Sequence, residues 1–250
     1  MAGHTRQVIE TLTRLHWMDV ISTDLTRTAE FYRSVFGWRM DDAIEHNGLP
    51  YHLLRDADGT VVAGAEEIPP HKGPSTWTLY VGTADTAALF RRSVDAGGRI
   101  GHEPYPLSGW GSLAYVLAPD GTGLGVAETS PPLGGATGAG RLIGAELQTP
   151  DPDATGKFLE QALGWRPRTG AIGGVRFDAG GVDARVLRGS GGAWIPVLAA
   201  TTYAETVDAV IRDGGVCERR SDGTVLARDP FGAAFVLREP TAVLPTGSAG

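Results

Sequence analysis

Apolar residues in this chain recur at two alternating periods, and the alternation runs through it four times. The stretch LHWMDVIST (Leu15 to Thr23) is rich in β-branched and aromatic residues and predicts a strand. Asp24 follows as a helix N-cap, Leu25, Ala29, Tyr32 and Phe36 then recur at helical spacing, and Gly37 ends the run. YHLLRDADGTVVAGAEE (Tyr51 to Glu67) reads as two strands about an Asp-Gly turn. The second pass begins at TWTLYVG (Thr76 to Gly82), predicts a helix from about Asp85 to Ala96 ending at Gly97-Gly98, and closes with the hairpin SLAYVLAPDGTGLGVAE (Ser112 to Glu128). The third pass runs RLIGAELQT (Arg141 to Thr149), then Asp151-Pro152 as cap and first helical residue, then a helix carrying Phe158, Leu159, Ala162 and Leu163. The fourth starts at Trp194, predicts a helix over about Tyr203 to Asp213, and ends on TVLARDPFGAAFVLRE (Thr224 to Glu239). Residues 5–15, with Val8, Ile9, Leu12 and Leu15, suggest a further short helix.

The passes pair. FYRSVFGW (Phe31 to Trp38) returns as FLEQALGW (Phe158 to Trp165), and APDGTGLGVAE and RDPFGAAFVLRE close the two halves. Between the halves, SPPLGGATGAG (Ser130 to Gly140) is Pro/Gly-rich. The expected organisation is an N-terminal extension over 1–13, a first domain over 14–130, a linker over 131–140, a second, shortened domain over 141–240, and a tail over 241–250. A lone strand-helix-hairpin unit cannot bury both faces of its sheet. The expected fold is therefore α+β, four βαβββ modules paired into two cup-shaped eight-stranded half-barrels, with helices outside and a concave inner face suited to a small ligand.

Composition narrows the function. Glycine is abundant, at 36 of 250 residues, which favours short strands and tight turns. A net charge of −7 and the lack of any Lys/Arg run argue against nucleic acid as a partner. No apolar run is long enough for a membrane span, and the N-terminus lacks a secretory pattern, so a cytoplasmic monomer or homodimer is expected. Cys217 is the single cysteine, so neither an internal disulfide nor a thiolate metal cluster can form. The Gly-rich stretches LGGATGAG and RTGAIGG lack the Lys-Ser/Thr of a phosphate loop, and no GxSxG elbow occurs.

The motifs TDLTRTAEFYRSVFGW, DADGTVVAG, DAGG and APDG, with weaker echoes in the second half, resemble the vicinal oxygen chelate superfamily, which includes glyoxalase I, extradiol dioxygenases and bleomycin-resistance proteins. The tandem arrangement resembles its two-domain actinobacterial members. The resemblance implies metal ligands at the start of each module's first strand and near the end of its last. Carried onto this chain, those positions are Trp17, Trp77, Gly144 and Trp194, and then Ala63, Gly125 and Val236. None offers a metal donor, because an indole carries only an N–H. A register one residue away would offer His16 alone. No HxH or HxxxH spacing occurs among the six histidines, and no metal or other cofactor is expected.

Other chemistry is then needed. Alternation places Trp17, Asp19 and Ile21 on one face of the first strand, and Gly144, Glu146 and Gln148 on the matching face of the third module. A carboxylate in a dry aromatic cup would hold its proton more tightly and could serve as acid or base; the alternative is a structural ion pair with an arginine. Trp17, Trp77 and Trp194, with Trp110 and Tyr115, could grip a flat apolar ligand, or simply fill space. His52 is a candidate proton shuttle, as is His102. The expected function is a metal-independent enzyme promoting cyclisation, isomerisation or proton transfer in a hydrophobic or aromatic metabolite, of the kind found in natural-product biosynthesis. Asp19, His52 and Glu146 are the catalytic candidates, and the first half is the favoured seat of the site. The alternatives are a protein that sequesters a toxic small molecule, and a metal-dependent dioxygenase, hydroxylase or lyase.

Overall fold

The computed structural model of the chain describes residues 13–46, 48–130, 138–168 and 174–240. Most of the short helix expected over 5–15 lies outside them, and its last two residues belong instead to a strand. The tail over 241–250 and most of the segment over 131–140 also lie outside the described residues.

The four modules are β1 (Arg14–Ser22), α1 (Leu25–Phe36), β2 (Arg39–Met40), β3 (Ile44–His46), β4 (Leu49–Arg55) and β5 (Val61–Glu67); β6 (Thr76–Gly82), α2 (Thr86–Asp95), β7 (Arg99–Leu107), β8 (Gly111–Leu117) and β9 (Gly123–Thr129); β10 (Leu142–Thr149), α3 (Pro152–Leu163), β11 (Arg166–Arg168), β12 (Gly174–Asp178) and β13 (Asp183–Arg188); and β14 (Ile195–Ala199), α4 (Tyr203–Arg212), β15 (Val216–Arg219), β16 (Val225–Arg228) and β17 (Ala234–Arg238). The first two modules form one sheet in the order β2-β4-β3-β7-β8-β9-β6-β1-β5. The last two form a second, β11-β12-β13-β10-β14-β17-β16-β15. This is the expected pair of half-barrels, with nine strands rather than eight in the first because module one carries an extra short strand.

Local chemistry sets the helix ends. Asp24, Asp85 and Asp151 accept hydrogen bonds from the backbone N–H of Arg27, Ala88 and Ala154. Gly37 and Gly164 end α1 and α3 in the left-handed conformation, at φ 75° and 70°, which a side chain would disfavour.

Pairing of β1 with β6 decides which way side chains point. Met18 lies opposite Leu79 and Val20 opposite Trp77, and these face the helices. Trp17 lies opposite Tyr80 and Asp19 opposite Thr78, on the concave side. The helix-side faces of both sheets merge into one core containing Tyr32, Trp38 and Trp77 from the first half and Phe158, Trp165, Trp194 and Phe235 from the second. The helices therefore do more than cover the outside: α1 packs on α4 and α2 on α3, joining the halves. The repeated Gly-Trp motif anchors each half to the other's entering chain. Trp165 Nε1 donates to the Thr13 carbonyl at 3.0 Å, and Trp38 Nε1 to that of Ala139 at 3.3 Å.

Two carboxylates add polar links across this joint. Tyr32 Oη donates to Asp229 Oδ2 at 3.3 Å, and burial holds the Asp229 carboxyl above its ordinary range. Asp120 Oδ2 accepts from the hydroxyls of Thr149 (2.8 Å) and Thr155 (3.0 Å). Burial alone would raise the Asp120 carboxyl, but donation from the Thr122 backbone and the Thr149 and Thr155 hydroxyls outweighs it and holds the group below its ordinary value. A depressed carboxyl stabilises the fold above about pH 4 and loses that contribution as pH falls through its folded value. Asp120→Ala should lower stability at neutral pH by about 1 kcal/mol, a small figure because the residue is exposed. In urea melts, the gap from the parent protein should close below about pH 4.

Candidate active site

Asp19 stands mid-strand on β1 at the floor of the first concavity, 1 % exposed. Its Oδ1 accepts from Tyr51 Oη at 2.6 Å and from Trp17 Nε1 at 2.7 Å, and the same indole N–H lies 3.3 Å from Tyr51 Oη. Gly64, beside Asp19 on β5, makes this arrangement possible: a Cβ there would collide with Tyr51 Oη and Asp19 Oδ1. Gly125, beside Tyr80 on β9, does the same for the Tyr80 ring. Glycine in these last strands is thus room for the concave-face side chains.

Above the floor, Tyr80 meets Tyr115 edge to face at 5.9 Å, and Tyr115 Oη donates to Thr78 Oγ1 at 2.8 Å. Tyr105 and Trp110 pack on the same cluster, which also includes Leu53, Leu107 and Leu113. The mouth is a pocket of about 400 Å³ lined by Leu49, Glu66, Gly101, His102, Tyr105 and Tyr115. Burial, reinforced by the Asp19 charge, drives the Tyr51 and Tyr80 phenols well above their ordinary value. Tyr105 is raised as well, and burial pushes Tyr115 up to about 12 although its bond to Thr78 works the other way. The concavity is therefore a bed of protonated phenols over a buried carboxyl group.

Residues 14–126 match the family described as Glyoxalase/Bleomycin resistance protein/Dioxygenase superfamily. The chain carries a domain of that superfamily. It is 28 % identical over 265 residues to the anthracycline biosynthesis protein DauV of Streptomyces sp. strain C5, covering 94 % of this chain and 96 % of DauV. It is 27 % identical over 154 residues to CFP32 of Mycobacterium tuberculosis, but there the match spans only 59 % of the relative's length and 60 % of this chain. Among solved structures, an extradiol ring-cleaving dioxygenase of B. fuscum superposes with a TM-score of 0.65 at 17 % identity, over 94 % of this chain and 74 % of that one. The Mn(II)-bound glyoxalase of Novosphingobium aromaticivorans superposes with a TM-score of 0.63 at 14 % identity, over 90 % and 83 %. These similarities establish the fold.

Within this superfamily fold, Trp17, Asp19, Trp110 and Tyr115 come together in the first concavity. His102 also lines the mouth, its ring edge to face with Tyr105 at 4.8 Å, and the other candidates do not join them. Trp77 and Trp194 lie on the helix side: Trp77 pairs with Val20, and Trp194 packs on Trp165 at 5.9 Å. Counted back from the helix caps, the positions equivalent to Trp17 are Thr78 and Ile195, one residue later, and one residue reverses the face of a strand. His52 pairs with Ala65 and points away from the concavity, unlike Tyr51 and Leu53 on either side, with Nδ1 2.9 Å from the Asp41 carbonyl. Glu146 occupies the Asp19 position of the second sheet, but Arg220 and Arg185 flank it. On that sheet Asp183 likewise meets Arg176 at 2.9 Å and Arg238 at 3.5 Å. Tyr51, Tyr80, Tyr105 and Glu66 were missed as site residues. The pairing of β1 with β6 was the signal for Tyr80, and alternation with Leu53 the signal for Tyr51.

One of the superposed structures is Mn(II)-bound, so the donor set is a fair test. Among the described residues, no three His, Cys, Asp or Glu side chains converge. Asp19 accepts from an indole N–H and from a phenol that burial keeps protonated, the Thr78 hydroxyl is taken by Tyr115, and Glu66 and His102 at the mouth do not complete a three-donor set with it. These residues do not fit a resident divalent ion.

All six tyrosines have raised phenol values, Tyr32 and Tyr203 included. Their protonated state stabilises the fold below about pH 10, and this is lost as pH rises through the folded values. Phenolate absorbance should thus appear in a late step coincident with loss of near-UV circular dichroism. A gradual titration centred near pH 10 with the fold intact would contradict the packing.

Proposed function

We propose that this chain acts on a flat, oxygenated aromatic metabolite seated on the tyrosine-lined mouth of the first concavity, and moves a proton within it without a resident metal. The observation that carries this reading is the Asp19 carboxyl group, hydrogen-bonded by Trp17 and Tyr51 beneath Tyr80 and Tyr115. In this reading the floor opens as the ligand binds, and Asp19 is then the acid or base, exchanging a proton with the ligand through the Tyr51 hydroxyl, which is itself fully buried in the closed floor. Tyr115, whose own proton goes to Thr78, accepts from a hydroxyl group of the ring, Tyr105 lies beside it at the mouth, and the apolar wall excludes water. Cyclisation or isomerisation of an enolisable ring system fits such a site. The similarity to DauV over nearly the whole chain makes an anthracycline-type polyketide the first candidate ligand.

Sequestration is the second reading, and the burial of Asp19 favours it. At 1 % exposure, the carboxyl group cannot touch a ligand at the mouth unless the floor opens. A protein that binds and releases its ligand unchanged needs only the aromatic cup.

An anthracycline titration followed by intrinsic fluorescence, with product analysis by mass spectrometry, separates the two. Under the enzymatic reading, Asp19→Asn should cut turnover by about 100-fold or more while leaving binding within about threefold. Recovery of only unaltered ligand from wild type would establish sequestration instead. Tyr115→Phe should weaken binding by about 1 kcal/mol in either case.

A further inference from the structure

A second cavity, of about 370 Å³, lies in the cleft between the halves, at the open end of the second concavity. It shares no residue with the mouth described above. Ile195 and Leu226 supply its apolar surface, and the nearly buried Trp77 and Trp194 reach it only by their edges. At one side stand Arg220 and Arg228; among the described residues no Asp or Glu lines the cavity itself, and the groove that adjoins it along Trp77 and Trp194 carries Asp120. The two arginines differ. Arg220 is matched by Glu146. Arg228 donates to the Gly232 carbonyl at 3.3 Å, and among the described residues it makes no ion pair. A guanidinium has five N–H donors in a planar fork, so Arg228 keeps donors and an unmatched charge at the rim of an aromatic slot.

We propose that this cleft is a separate binding site for a small aromatic monoanion, its carboxylate or sulfonate on Arg228 and its ring against Ile195, Leu226 and the exposed edges of the two indoles. One uncompensated cation calls for one negative charge. The cavity is nearly as large as the mouth of the first concavity, about 370 against about 400 Å³, so it is the unmatched charge rather than the size that sets its ligand apart. The site draws on both halves, Trp77 from the first sheet and Arg228 from the second, so its occupant would also brace the joint between them.

The test is calorimetric titration with benzenesulfonate, benzoate and uncharged benzyl alcohol. Both anions should bind to one site, the alcohol should bind at least tenfold more weakly, and added salt should weaken the anions alone. Arg228→Gln should reduce anion affinity about tenfold and leave the alcohol unchanged, while Arg228→Lys should retain part of the affinity. Equal binding of benzyl alcohol and benzoate by the wild-type protein, or no anion binding, would overturn the proposal without reference to any variant. So would undiminished anion binding by a folded Arg228→Gln protein.

Discussion

The antiparallel pairing of β1 with β6 is the constraint on which the rest of the first half depends. It sends Met18, Val20, Trp77 and Leu79 into the core beneath the helices, and Trp17, Asp19, Thr78 and Tyr80 into the concavity. A strand has only two faces, so this register decides at once what holds the halves together and what a ligand can meet. A slip of one residue would bury Asp19 among the helix-side aromatics and turn Trp77 into the cup.

The same module position carries opposite outcomes in the two halves. Asp19 is surrounded by donors that carry no charge, a phenol and an indole. Glu146 meets two guanidinium groups and is electrostatically matched in place. A carboxylate neutralised by arginine is a structural partner, and removing one member of such a pair costs far more than the pair contributes. This difference, rather than any difference in backbone, makes the first concavity the candidate site and leaves the second with a charged lattice.

The joint between the halves is more than a linker. The repeated Gly-Trp motif sends each indole N–H to the other half's incoming chain, and helix pairs complete a single apolar core. The cleft holding Trp77, Trp194 and Arg228 is a by-product of that joint. Aromatics that pack the interface also line the space left where the two curved sheets diverge.

The amino-acid sequence alone determined the four modules, the helix caps at Asp24, Asp85 and Asp151, the Asp-Gly hairpins and the pairing into two sheets, because each rests on local periodicity and turn chemistry. It also determined that Trp17 and Asp19 share a face, since alternation along one strand is a local rule. Only the tertiary structure decided that Trp77 and Trp194 face the helices, that His52 turns away, that arginines from β13 and the segment after β15 reach Glu146, and that Tyr51, Tyr80 and Tyr105 surround Asp19. These facts depend on register between strands distant in sequence, where a shift of one residue reverses a face and no local pattern reports the shift.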